Sequence, residues 1–491
     1  MVEPYSPSSG TTQSKFRGTY IMQWVGLVVL VSANFMTILD LFIVNVSLQA
    51  IRTTFSATPG EIQAMIIAYN IPYGVLMLNF GRLGDRFGRR RMYLIGTSIF
   101  TAASLFCGLA WSPLALIIFR ATQGIGAAAM MPQVYASLRV LFEGERRQKA
   151  FGVMAAVQGI AGIASQLVGG MLIVYSAFGL GWRSIFFVNI PIGALAIIGA
   201  IFFLPETREK NLRRLDFGGA LIATTTLLLI IVPLLVGRDL GWPSWSLFTL
   251  ALSIPATSWF FRYEGRISKS GISPILDVSL FRSPTFRYGV IASFLFYSAI
   301  SSFSLSLTML LQDGFRLSAL IAGAIFTPSA ISFFVGSLCS TQISKIGRDR
   351  SVVLGLTIFF IGLLASVLFG AYFHSCYTLL FVAMIFNGLG QGLVIPILLN
   401  SILSSVDVNN AGTASGTFST VQILGATIGV ALVGTIFFSM LDGHLVFQSE
   451  AVREATFARA FSVSTLYNAT AVLLGILLFV KRDRNPLFKA S

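Results

Sequence analysis

Fourteen apolar runs, each closed off by charge, Gly or Pro, follow one another along the chain. They lie near 22–48, 61–80, 92–110, 113–141, 149–176, 185–204, 217–236, 246–261, 288–311, 319–343, 352–373, 377–404, 411–440 and 460–480. Residues 21–48 alone make, as a helix, a rod of roughly 42 Å, enough to cross a bilayer. A chain built of such runs is predicted to be an all-α membrane protein with 14 spans. Composition agrees: 55% of residues are hydrophobic, 11% are charged and the mean hydropathy is +0.81. A soluble chain of this length carries about a quarter charged residues.

The net charge of +15 has a cause other than nucleic-acid binding. An even number of spans puts both termini on one side. On that side the tails and loops hold 27 of the 34 Lys and Arg, among them Arg82, Arg86, Arg89, Arg90 and Arg91. The opposite side holds Arg52, Arg183, Arg238, Arg316, Arg453 and Arg459. This bias predicts cytoplasmic termini in a multi-pass protein of the cell inner or plasma membrane. The first apolar run is too long for a cleavable signal and has no small-residue cleavage pattern.

The sequence repeats itself. GIGAAAMMP (124–132) matches GLGQGLVIP (388–396) with Gly, Gly and Pro in register, at an offset of 264. The same offset carries Gly152 to Gly416, Val157–Gln158 to Val421–Gln422, and Gly170 to Gly434. Weak internal similarity of this kind is typical of carriers built from two related bundles. The predicted organisation is a tail at 1–20, a six-helix bundle at 21–205, a linker with an inserted hairpin (spans 7 and 8) at 206–285, a second six-helix bundle at 286–481, and a tail at 482–491.

Of the 19 acidic residues, Asp40 alone is predicted to sit deep in an apolar run. A carboxylate there is costly and marks a functional site by default. Thr37 and Ser47 share its helix face; Asn34 and Asn45 share another. An amide is cheap to bury, so Asn34 is read as packing against a neighbouring helix. Burial disfavours the charged form of a carboxyl group and a nearby cation favours it. A group between those pulls can take up and release a proton, as a proton-coupled carrier requires. The cation is Arg120, the one basic residue deep in a span, whose face continues through Gln123, Ala127 and Met131.

Two stretches suggest moving parts. GRLGDRFGRRR (81–91) joins spans 2 and 3. Gly81, Gly84 and Gly88 permit a tight turn, and Asp85 among Arg86, Arg89 and their neighbours can hold a helix end in one state and release it in another. Span 5 carries Ala155, Gly159, Gly162, Gln166 and Gly169, followed by Gly170, a small-residue stripe that reads as the seam between the bundles. A substrate cavity is assigned to Phe35, Phe42, Asn45, Tyr69, Tyr73, Gln123, Met131, Tyr135, Tyr297, Ser301, Asn387, Gln391 and Asn400, as an aromatic and weakly polar set. Nothing suggests an enzyme. The two histidines fall in external loops, Cys107, Cys339 and Cys376 read as small hydrophobes, and no cofactor or metal site is expected.

These stretches together resemble the major facilitator superfamily, specifically its fourteen-span drug:proton antiporter branch. GRLGDRFGRRR is similar to the signature between spans 2 and 3, LIIFRATQGIGAAA to the span-4 motif, and LDLFIVNVSL to the span-1 motif of the branch, with Asp40 and Asn45 at its functional positions. WRSIFFVNIPIG (182–193), GRDLGWP (237–243) and AGTASGTFSTVQILGATIGVA (411–431) also resemble it. Two departures stand out: Ser165–Gln166 where the branch usually has Gly-Pro, which leaves the fifth helix straighter, and Gln49 where it usually has Pro. The resemblance implies an alternating-access, proton-coupled efflux transporter for amphipathic small molecules, with Asp40 as proton carrier. The expected partners are a small-molecule substrate, protons and the lipid bilayer, with no nucleic acid, for a monomeric chain. The alternatives are an exporter of one specific metabolite, an uncoupled facilitator, or, from another class, a channel or membrane scaffold.

Overall fold

The chain was analysed as a computed structural model, which describes residues 20–175, 179–208, 216–237, 240–267, 274, 276, 278–374, 376–403, 406, 411–441 and 449–483. The tails at 1–19 and 484–491, and parts of the 206–285 linker, lie outside the described residues. Among those described, all regular structure is helical. The first helices are α1 (Tyr20–Phe55), α2 (Pro59–Phe87), α3 (Arg89–Gly108), α4 (Pro113–Leu141) and α5 (Gly144–Val174). A short α6 (Ser184–Phe187) and α7 (Asn189–Phe203) follow, then α8 (Phe217–Val236) and α9 (Ser244–Ile267). The last are α10 (Pro284–Met309), α11 (Ala319–Ile343), α12 (Arg348–Tyr372), α13 (Tyr377–Leu403), α14 (Ala411–Ser439) and α15 (Glu450–Asp483).

Caps start these helices where the sequence punctuates the apolar runs. Thr58 and Glu61 form a reciprocal capping box at α2. The side chains of Ser112, Ser283 and Ser318 accept from the first turns of α4, α10 and α11. Eleven helical segments among the described residues are long and apolar enough to span a bilayer, and α2, bent by 53° between Met77 and Asn79, makes a twelfth. Helices α3 and α9 have span length, 20 and 24 residues, but are less apolar.

Two runs differ in detail from the sequence expectation. The run near 185–204 divides at Val188 into α6 and α7, but Val188 keeps helical dihedral angles and a bond to Ser184 O, so Gly181–Phe203 is one span. The run near 288–311 continues through a π-helical turn, Leu310–Gly314, which takes Asp313 into the end of the span.

Helices α1–α7 pack together, as do α10–α15, and glycines set the closest approaches. A Cβ at Gly126 would meet the backbone nitrogen of Phe100 at 2.6 Å; one at Gly390, its partner in the sequence repeat, would meet that of Phe359 at 2.5 Å. Gly88 and Gly347 take nearly the same left-handed conformation, φ +111° and +116°, each between two helices.

Helix α5 meets α11, and α2 meets α14, so two seams join the sets; α8 packs on both α2 and α14. One end of the molecule, the far end, carries Phe55, Trp182 and Gly314. Phe55 stacks edgewise on Trp182 at 5.5 Å, and Arg453 Nε, near the start of α15, donates to Gly314 O at 3.0 Å. The start of α1 and the end of α15 therefore lie together at the other end.

The α5–α11 seam is tight towards the far end. A Cβ at Gly170 would meet Leu320 Cα at 2.7 Å, and one at Gly323 would meet Gln166 O at 2.5 Å. Towards the termini it is looser: at Gly159 the nearest atom is a Phe334 ring carbon at 3.9 Å, and at Gly162 no described atom lies within 4 Å.

Candidate functional site

Asp40 is fully buried half-way along α1, and every group hydrogen-bonded to it is a donor. Arg120 Nη1, from α4, forms an ion pair with Oδ2. Gln123 Nε2, one turn further along α4, donates to Oδ1 at 2.8 Å. Asn189 Nδ2, the first residue of α7, donates to the same oxygen at 3.0 Å. Helix periodicity explains the pair on α4, since residues three apart share a face. Asn189 faces α1 from within the Gly181–Phe203 span.

Arg120 is 1% exposed and has further partners. Its Nη1 also donates to Gln123 Oε1 at 2.7 Å and its Nε to Met65 O at 3.3 Å. The guanidinium lies over the Tyr69 ring at 4.5 Å and near that of Phe186 at 5.9 Å. The arrangement therefore settles a buried charge pair with partners from four helices, the condition under which such a pair is tolerated. Ser104 of α3 completes it: its hydroxyl donates to Phe100 O at 2.9 Å and accepts from Gln123 Nε2 at 2.7 Å. Chemically this is a dry carboxylate with a fixed counter-charge. Among the described residues no group of three His, Cys, Asp or Glu has a geometry to hold a metal ion.

Sequence reasoning singled out Asp40, Arg120 and Gln123, which the fold brings together. It missed Ser104 and Asn189. Asn189 stood in a quoted motif, but an uncharged amide in an apolar run carries no cost that marks it. Thr37 and Ser47 turn back onto their own helix, bonding Ala33 O and Val44 O, and do not reach Asp40. Asn34 accepts from Gln158 Nε2 of α5 at 3.1 Å, the neighbouring-helix partner expected of it.

Of the cavity set, Tyr69 and Tyr73 lie ring to ring at 5.7 Å, in one buried cluster with Met131 and against Tyr135. Tyr135 also adjoins Gln158 and, across the seam, Tyr297, whose ring meets Phe418 of α14 at 6.5 Å. Phe35, Phe42, Ser301 and Gln391 are half-buried. One residue stands apart and corrects the cavity set: Asn387 is fully buried where α12 and α13 touch and donates to Ala383 O of its own helix. Asn400 is exposed.

Asn45 belongs to a row of contacts between α1 and α10 that runs towards the far end. Asn45 Nδ2 donates to Ser304 Oγ at 3.3 Å, Gln49 Nε2 to Gln312 O at 3.0 Å, and Gln312 Nε2 to Val46 O at 2.9 Å. Arg52 faces Asp313 at 3.5 Å. Gln312 and Asp313 sit in the π-helical turn, a distortion frequent at functional sites. At the opposite end, Asp85 Oδ1 accepts from Arg89 Nε at 3.0 Å and Nη2 at 2.8 Å, while Arg86 is exposed. Gly88 abuts Glu206, which accepts from the backbone of Arg90 at 3.2 Å; a Cβ at Gly81 would meet Pro132 at 3.3 Å, and one at Gly84 would overlap the Gln133 side chain. A Cβ at Gly169 would meet Ile43 at 2.7 Å, so α5 lies close on α1 there.

The family model of the Major Facilitator Superfamily matches residues 30–430, and again residues 289–488. The chain is 34% identical over 429 residues to a probable actinorhodin transporter of Streptomyces coelicolor, covering 87% of this chain and 74% of that one. It is 30% identical over 481 residues to the puromycin resistance protein pur8 of Streptomyces alboniger, covering 93% and 91%. Among solved structures, a bacterial homologue of the human lysosomal transporter Spinster, in an inward-facing and unoccupied conformation, superposes with a TM-score of 0.64 at 15% identity, over 94% of this chain and 99% of that one.

Proposed function

The chain belongs to the Major Facilitator Superfamily, a family of transporters and not of enzymes, and on that premise we propose that it exports amphipathic small molecules in exchange for protons, by alternating access. The observation that carries the reading is the Asp40 site: a carboxylate with no exposure, held by one guanidinium and two amides in the middle of a membrane helix. Membrane helices keep ionisable groups where a charge or proton must pass. The relatives, named for transport of one compound and resistance to another, support an exporter. Because these two are each named for a single compound, an exporter of one specific metabolite is the second reading, while other relatives are named multidrug resistance proteins.

In this proposal the chain has fourteen spans, counting α2, α3 and α9, with both termini in the cytoplasm. Helices α1–α7 and α10–α15 are the two rocking bundles, α8–α9 the inserted hairpin, and the cargo lies among Tyr73, Tyr135, Tyr297 and Gln158. The tight far-end seam then makes this an inward-facing state. Asp40 takes a proton from outside and releases it to the cytoplasm as cargo binds.

Inverted vesicles test the exchange. Acidifying the lumen is expected to drive a fluorescent lipophilic dye inward, and a protonophore is expected to stop it. Uptake that ignores the protonophore would leave an uncoupled facilitator. The far-end gate has its own test. With the native cysteines replaced by alanine, cross-linking Gln49→Cys to Gln312→Cys with a short bifunctional thiol reagent is expected to reduce export to background. Undiminished export in the cross-linked protein rejects that gate.

A further inference from the structure

We propose that Asn189 reads the protonation state of Asp40: its side-chain amide donates to the carboxylate and, turned over, accepts from the carboxylic acid. The inference rests on Asp40 being the proton site, and it names the group that answers the proton. Every hydrogen-bonding neighbour of the carboxylate gives a hydrogen: Arg120 Nη1 to Oδ2, and Gln123 Nε2 and Asn189 Nδ2 to Oδ1. A proton added to Asp40 creates an O–H directed at donors. That O–H needs an acceptor, because a buried donor without one is costly.

Only one of the two amides is free to supply it. Gln123 is pinned from both ends. Its Oε1 accepts from Arg120 Nη1 at 2.7 Å, and its Nε2 donates to Ser104 Oγ at 2.7 Å. Ser104 in turn spends its own hydrogen on Phe100 O at 2.9 Å, so its oxygen can only accept from the amides. Turning the Gln123 amide over would set its NH2 against the guanidinium. Asn189 is held less firmly: its Nδ2 reaches Ser104 Oγ only at 3.5 Å, and its Oδ1 is buried without a hydrogen-bond partner. Half a turn about the last side-chain bond exchanges Nδ2 for Oδ1 at Asp40. With the proton absent the N–H donates to the carboxylate, and with it present the O–H donates to the amide oxygen, while the NH2 turns to the side where Oδ1 now has no partner, a cost set against the acceptor that the acid gains. Nothing else is transferred.

The other titratable or charged neighbours of Asp40 are Arg120 of α4, Tyr69 of α2 and Cys107 of α3. Arg120 cannot accept. The Cys107 thiol is directed at Gln123 Oε1 at 3.9 Å. The Tyr69 hydroxyl, buried without a partner, is the competing acceptor, and the test separates it. Asn189 is a positioning residue here. It lies in one helical span with Trp182, whose Nε1 donates to Thr54 Oγ1 at 3.1 Å at the far end.

The test is the infrared difference spectrum, acid minus alkaline, of the purified full-length protein in lipid. The wild type is expected to show a carboxylic-acid C=O band that disappears in Asp40→Asn. In Asn189→Leu that band is expected to move to higher frequency, as an acid does when its O–H loses its acceptor. A band left in place by Asn189→Leu, or moved instead by Tyr69→Phe, overturns the assignment to Asn189 while the proton site stands. No Asp40-dependent acid band at any pH removes the proton reading itself. Should Asn189→Leu fail to fold, wild-type protein with 13C-labelled asparagine side-chain carbonyls serves. A labelled band must respond to acidification, and must cease to respond in Asp40→Asn; a response that persists in Asp40→Asn, or none in the wild type, overturns the proposal.

Discussion

Asp40→Asn is expected to reduce gradient-driven export to background while the protein still folds and exchanges cargo downhill. The substitution keeps shape and removes the carboxyl group that gains and loses the proton. Its amide oxygen still accepts from Gln123 and Asn189, as Oδ1 does now. Arg120 loses its counter-charge but keeps Gln123 Oε1, Met65 O and the face of Tyr69. Stability falls as well, because the new NH2 meets the guanidinium and the buried cation loses its counter-charge, so both assays are read on protein shown to be folded. Dye accumulation in inverted vesicles with an acid lumen measures the uphill part, and counterflow without a gradient measures the exchange. Full uphill export by Asp40→Asn would sink the proton-site proposal. Loss of counterflow as well would show that the carboxylate is needed for cargo or for the conformational change, and not for coupling alone.

The second large effect is on stability. Arg120→Met leaves a carboxylate in a dry site with two amide donors and no cation, and breaking a buried pair from one side typically costs about 3–5 kcal/mol. The thermal midpoint of the purified protein is expected to fall well below that of the wild type. The double variant Asp40→Asn, Arg120→Met is expected to recover most of that loss, because a neutral pair of similar volume has no charge to compensate. A double variant as unstable as Arg120→Met would mean that the cost comes from packing around the guanidinium, for instance against Tyr69 and Phe186.

Much of this was legible in the residues themselves. The apolar runs mark the helices, with the π-helical turn at 310–314 as the local surprise. Asp40 and Arg120 announced themselves because a charge in a long apolar run is too costly to be incidental. The repeat around GIGAAAMMP and GLGQGLVIP marked the glycines at which helices approach most closely. Asn189 and Ser104 did not stand out, since Ser and Asn occur throughout the runs and cost little to bury once bonded. Asn387 was misread for the same reason. As an amide in a span it resembles Gln123, and only the lack of an acid opposite it turns it back onto its own helix.

Periodicity, capping and the desolvation of charge act within a few turns of helix, so the sequence by itself determined the membrane class, the helical elements and the charged pair. Hydrogen-bond partnership at the site joins Asp40 to residues 80, 83 and 149 positions away. Which amides face the carboxylate, which of them is pinned, and which end of the seam is closed are decided only by how the helices pack. Direction and distance between remote side chains are properties of that packing and are written in no single stretch of the chain.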